Sequence, residues 1–253
     1  MTNFTYAFIL SSIAGISTLL GLIPLLFNLK NEQKIITTSL AFASGVMIFV
    51  SLNDLIPESL KLLKTIFKPF PALIILLIFI TTGIIISLLI DKLIPESKEN
   101  IKNKKLYHIG LVSMLAIIMH NIPEGIATFL SSSTNKSLGL SLAFAISLHN
   151  IPEGISIAIP IYFSTKNKLK AFIYTLISSL SEPFGALLAF LFLRNIMNNF
   201  IMSIILALIA GIMLYIALYD LLKEAIKSKK YQLTITFFII GILFMITSHF
   251  ILS

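Results

Sequence analysis

The chain contains no cysteine and no tryptophan. Without thiols there is no disulfide framework, no Cys-based zinc module, no iron–sulfur ligation and no thiol nucleophile. Charge is scarce as well. Only 12% of the 253 residues are Asp, Glu, Lys or Arg, about half the share of an average soluble domain. No Gly-rich phosphate loop is present, which argues against a built-in nucleotide motor. What remains is apolar: 57% of the residues are hydrophobic and the mean hydropathy is +0.98. The formal net charge is +8, but the lysines fall in short interruptions between apolar runs. That distribution suits a membrane surface, not nucleic acid. The composition is that of a polytopic membrane protein.

A bilayer-spanning helix needs ~20 largely apolar residues. Eight segments meet that requirement, at about 5–28, 35–60, 70–90, 107–130, 138–162, 170–193, 200–222 and 231–252. These runs are too long and continuous for the alternating strands of an outer-membrane barrel. The expected fold class is all-α, with residues 1–253 forming a single transmembrane domain. Met1-Thr2-Asn3-Phe4 places no basic stretch before the first apolar run, so that run is read as a retained span, not a signal peptide. With eight spans, fourteen Lys and Arg residues fall in one set of alternate loops and five in the other. The positive-inside rule then puts both termini outside a cell (inner) membrane.

Residues 45–61 (GVMIFVSLNDLIPESLK) match 211–227 (GIMLYIALYDLLKEAIK) at Gly, Met, Leu, Asp, Leu, Glu and Lys. The two stretches lie in spans two and seven, which run in opposite directions. Inverted repeats of this kind are typical of secondary transporters, with the binding site at the repeat interface near mid-membrane.

The most informative motif is HNIPEG, at 120–125 and again at 149–154. Each copy falls near the centre of a span, and the short connection at 131–137 makes spans four and five antiparallel neighbours. Four-residue spacing puts His120 with Glu124, and His149 with Glu153, on one helical face. Asn121 and Asn150 project on the flank of that face, and span six adds Ser181-Glu182-Pro183 at mid-helix.

An ionised side chain at the bilayer centre costs roughly 2.5–3.5 kcal/mol, so Glu124, Glu153 and Glu182 together would cost about 8–10 kcal/mol without compensation. A protonated Glu bonded between helices accounts for one such residue, not for five ionisable groups at one depth beside two amides. A divalent cation does. Carboxylates, imidazoles and Asn carbonyls form a mixed N/O set suited to Zn²⁺, Fe²⁺, Mn²⁺ or Co²⁺, and Glu124 and Glu153 are placed to bridge two ions. Pro123, Pro152 and Pro183 cannot donate to the carbonyls of Met119, Leu148 and Ser179, which would be freed near the cluster. Asp54 with Glu58, and Asp220 with Glu224, end spans two and seven. They read either as cation-concentrating mouths or as solvated helix ends. His108 reads as interfacial and His249 as incidental.

With these motifs the sequence resembles the ZIP (Zrt/Irt-like) family of divalent-metal transporters over essentially its whole length. The resemblance implies uptake of Zn²⁺, with Fe²⁺ and other divalent ions such as Mn²⁺, Co²⁺ or Cd²⁺, into the cytoplasm through a binuclear site in spans four to six. Carried over by position, it implies one metal held by Glu124, His149 and Glu153 with His120. The second would be held by Asn121, Glu124, Asn150, Glu153 and Glu182. The metals are cargo, not catalytic cofactors. The expected partners are divalent ions and the lipid bilayer, with homodimerisation left open. Two departures stand out: the 91–106 loop is Lys-rich where the family's is often His-rich, and Lys223 stands where the family often has Pro, implying a less kinked end to span seven.

Two readings from other classes compete. An intramembrane metallohydrolase would use the same metal to activate water, but expects HExxH spacing and a general base outside the ligands. The order here is His-Asn-x-x-Glu. A proton channel along the His/Glu chain would need no metal at all.

Overall fold

The computed structural model describes residues 3–27, 31–93, 101, 103–193 and 198–252. Lys30, Lys98, Lys102 and Arg194, which enter the loop-charge count, lie outside these. Among the described residues the architecture is all-α, and eight helices are long and apolar enough to cross a membrane. They are α1 (Asn3–Leu26), α2 (Glu32–Lys64), α3 (Pro69–Leu93), α4 (Lys104–Thr134), α5 (Lys136–Thr165), α6 (Lys168–Phe192), α7 (Asn199–Lys227) and α8 (Tyr231–Ile251).

Asparagine punctuates the bundle. Its side-chain oxygen accepts the free amides of a helix's first turn, and Asn31, Asn103, Asn135, Asn167 and Asn198 do so for α2, α4, α5, α6 and α7. Asn135 has a double role. Its amide closes α4 on the Ser131 carbonyl at 2.9 Å, while its Oδ1 accepts from Ser137 and Leu138 at 3.0 and 3.1 Å to open α5. The connection expected over 131–137 therefore shrinks to one residue, because both helices run further than their apolar cores.

The spans pack as two groups: α1, α4, α5 and α6 in one, α2, α3, α7 and α8 in the other. Hydrogen bonds from buried side chains to backbone stitch the second group, with Ser44 donating to the Ala217 carbonyl at 2.8 Å and Ser59 to that of Ser203 at 2.7 Å. In the first, Tyr107 and Tyr174 join α4 to α6 through their hydroxyls at 2.7 Å. The groups meet across an apolar core that gathers Leu40 and Met47 of α2, Ile157 and Ile161 of α5, Ile117 of α4 and Met213 of α7.

The α2–α3–α7–α8 group is internally symmetric. A Cβ at Gly45 would overlap the Phe238 carbonyl and one at Gly241 the Phe42 carbonyl, joining α2 to α8. A Cβ at Gly211 would overlap the Ile80 carbonyl and one at Gly83 the Leu208 carbonyl, joining α7 to α3. Phe42 precedes Gly45 as Leu208 precedes Gly211, so the sequence repeat of spans two and seven extends to spans three and eight. Both copies also widen into π-helix at the same place, Ser51–Leu55 in α2 and Ile216–Leu222 in α7. In α7 the wide turn ends just before Lys223, where α2 carries Pro57, so the widening itself needs no proline.

Candidate metal centre

The two HNIPEG motifs face each other where α4 and α5 cross. On α4, His120 Nε2 lies 3.2 Å from Glu124 Oε1 one turn on. Across the crossing, His149 Nε2 is 3.0 Å from the same Glu124 oxygen, and His120 Nε2 is 3.4 Å from Glu153 Oε1. One donor atom from each of His120, Glu124 and His149 falls within 4.8 Å of the others. His120 and Glu153 are sealed, at 1% exposure each, while Glu124 and His149 form the slightly open edge at 8% and 7%.

The second half of the site is built on α6. Its helix stops at Ser179 and restarts at Ser181, because Pro183 has no amide to give the Ser179 carbonyl. Gly15 of α1 takes up that carbonyl, where a Cβ would stand 2.5 Å away. The break presents Glu182, fully buried. Asn150 then ties three helices: its Nδ2 donates to Glu182 Oε2 and to the Ala14 carbonyl, both at 2.9 Å. Asn121 is fully buried beside them on α4.

The atoms left without partners are the informative ones. Both ring nitrogens of His120, both amide atoms of Asn121, Glu124 Oε2, Asn150 Oδ1, both Glu153 oxygens and Glu182 Oε1 are buried with no hydrogen bond. His120 Nε2 approaches two carboxylates closely, yet neither contact has hydrogen-bond geometry. Each unsatisfied buried polar atom costs about 1–3 kcal/mol, so native proteins rarely collect them at one place. A nitrogen-and-oxygen set without thiolate, converging on one volume, is the coordination chemistry of a divalent transition ion. The structure gathers His120, Glu124, His149 and Glu153 at the crossing, sets Glu182, held by Asn150, within electrostatic reach of Glu124 and Glu153, and buries Asn121 on α4.

A family model described as ZIP zinc transporter matches residues 95–249. The chain belongs to the ZIP family. Curated relatives cover nearly all of it: a protein named zinc transporter ZupT from Clostridium perfringens is 37% identical over 98% of this chain and 96% of the relative. Its namesakes from Streptococcus mutans and Chlorobium luteolum are 38% identical over 96% of each chain and 35% identical over 100% of each. This ZIP chain is accordingly a multi-pass membrane protein.

The structure pairs two histidines of this ZIP chain with carboxylates of other spans. His249, read as incidental, places Nε2 3.2 Å from Asp54 Oδ1, and Asp54 lies within electrostatic reach of His149 and Glu124. His108, read as interfacial, pairs with Asp91 at 2.7 Å, and Asp220 lies within reach of both. Extending the repeat to spans three and eight equates Asp54 with Asp220, and Asp91 with His249.

Asn150→Ala is expected to lower the stability of the metal-free protein by about 1–3 kcal/mol. It strips Glu182 of its donor while that carboxylate stays buried. Thermal unfolding in detergent measures this, and an unchanged midpoint would contradict the assignment of Asn150 as the tie between α5, α6 and α1.

Proposed function

We propose that this ZIP protein carries Zn²⁺ across the cell (inner) membrane into the cytoplasm through a binuclear site on α4, α5 and α6. The observation that carries this reading is the cluster of buried nitrogen and oxygen atoms without partners at the HNIPEG crossing. The names of the relatives, zinc transporters over nearly their whole length, support Zn²⁺ as cargo. One ion is held by Glu124, His149 and Glu153 with His120. The other is held by Asn121, Glu124, Asn150, Glu153 and Glu182, so that Glu124 and Glu153 bridge.

The ligands also suit release. Imidazole and carboxylate bind metal only when deprotonated, so protons compete with the ion, and without thiolate the grip stays reversible. Fe²⁺, Mn²⁺, Co²⁺ and Cd²⁺ draw on the same ligand types, and geometry sets the choice among them. In the orientation we propose, both termini face outward and the lysine-bearing ends of the helices face the cytoplasm. Asp54 and His249 then stand at the outer approach, where a carboxylate raises the local cation concentration.

The test is uptake of radiolabelled Zn²⁺ into proteoliposomes, with Fe²⁺ alongside. Saturable Zn²⁺ entry that falls as the external medium is acidified is expected. A folded protein that moves no ion under an imposed metal gradient would overturn the proposal.

A further inference from the structure

Among the described residues, two ion pairs and one histidine–carboxylate contact join the two helix groups, and all three lie at the lysine-bearing end. Glu32, in the first turn of α2, reaches Lys166 at the end of α5 at 2.6 Å. Lys105, in the first turn of α4, faces Glu224 near the end of α7 at 3.7 Å. Asp91, near the end of α3, meets His108 of α4 at 2.7 Å. At the opposite end, the pairs Lys61–Glu58 and His249–Asp54 both stay within the α2–α3–α7–α8 group.

Lys166 is unusually well placed for such a contact. It caps α5 with φ 57, a left-handed conformation uncommon for a residue with a Cβ. Its amide donates to the Tyr162 carbonyl at 2.6 Å, and its ammonium stands 4.8 Å from the Phe163 ring centroid. The backbone, an aromatic face and Glu32 thus all act on one lysine.

Between the ends, the described residues of the two groups meet largely through aliphatic side chains, and such a contact tolerates small sliding movements. The polar ties at one end therefore decide which end is held. We infer that Glu32–Lys166, Lys105–Glu224 and Asp91–His108 form a latch that keeps the two helix groups together at the lysine-bearing end, and that the latch must part before the bundle opens there. The latch acts on the helices themselves and is independent of which ion is carried.

Each pair is partly exposed, and exposed pairs are individually weak, so the latch is reversible and sensitive to salt. The chain has no native cysteine, which makes accessibility a clean readout. Leu40 is fully buried in the shared core, about 12 Å along α2 from Glu32 at 1.5 Å per residue. In a Leu40→Cys background, maleimide labelling of the purified metal-free protein is expected to quicken roughly 3- to 10-fold on adding Glu32→Lys or Lys166→Glu. Combining the two reversals is expected to return the rate to within about twofold of the starting protein, and about 1 M salt to act like a single reversal. Unchanged labelling in the single reversals overturns the latch. So does fast labelling that persists in the double reversal, because the effect would then belong to either charge alone and not to the pair. Should Leu40→Cys fail to fold, Ile161→Cys, fully buried on α5, supplies the same readout.

Discussion

Glu153→Gln is expected to weaken Zn²⁺ binding by at least about 100-fold and to abolish uptake, while leaving the metal-free protein as stable as before or more so. The two halves of this expectation have opposite signs for one reason. Glu153 is 1% exposed and neither of its oxygens has a hydrogen bond. A carboxylate in that position is a burden on the empty bundle, and a neutral isostere of the same shape relieves it. The bound ion, by contrast, loses the anionic ligand that would bridge both positions. Outer-shell partners of metal ligands alone cost 10- to 100-fold when removed, by general experience, so a bridging ligand belongs at or beyond the upper end. Isothermal titration with Zn²⁺ and thermal unfolding of the same preparation read the two halves separately. Uptake within threefold of the parent would remove Glu153 from the site, and a large loss of stability would recast it as a structural residue.

Gly125→Ala is expected to be nearly as damaging, though only one methyl group is added. A Cβ at Gly125 would overlap the carbonyl oxygen of Glu182 and stand 2.8 Å from the carbonyl carbon. The obstacle is backbone, so no side chain can turn aside, and α4 and α6 must separate. Overpacking of this kind costs about 1–3 kcal/mol. The shift also draws Glu182 away from Asn150, so the second of the two proposed ions should be lost before the first. The expected result is a lower unfolding midpoint together with a fall in bound Zn²⁺ from two ions to one. Gly83→Ala is the matched control, since a Cβ there would overlap the Leu208 carbonyl in the α3–α7 contact, away from the cluster. It should cost similar stability and keep both ions. If both variants retain full stoichiometry, the glycine of the motif serves packing alone.

These two expectations draw on different parts of HNIPEG. The His, Asn and Glu read as candidate ligands because burying charge in a bilayer is costly, and a bound cation would offset that cost. The Gly was not readable as a site residue. Its role depends on the carbonyl of Glu182, on another helix, and no spacing within the motif announces that. Asn150 is a similar case. Its side chain looked like a pure ligand, yet its nitrogen is committed to Ala14 and Glu182, leaving only its oxygen free. The histidines show the opposite limit. His108 and His249 stand outside any motif, and their aspartate partners come from other spans.

Membership of the all-α membrane class, the number of spans and their approximate limits all followed from residue order. In a bilayer, length and continuous apolarity dictate helix almost without regard to neighbours. The intrahelical His–Glu spacing followed too, because helical periodicity sets Glu124 one turn from His120, 3.2 Å apart, and Glu153 one turn from His149. The partition into two helix groups and the polar pairs gathered at one end did not. Each depends on which helices approach closely enough for a carbonyl to meet a glycine or a lysine to meet a glutamate. Within lipid, where apolar surface has little preference among partners, such packing details choose the neighbours.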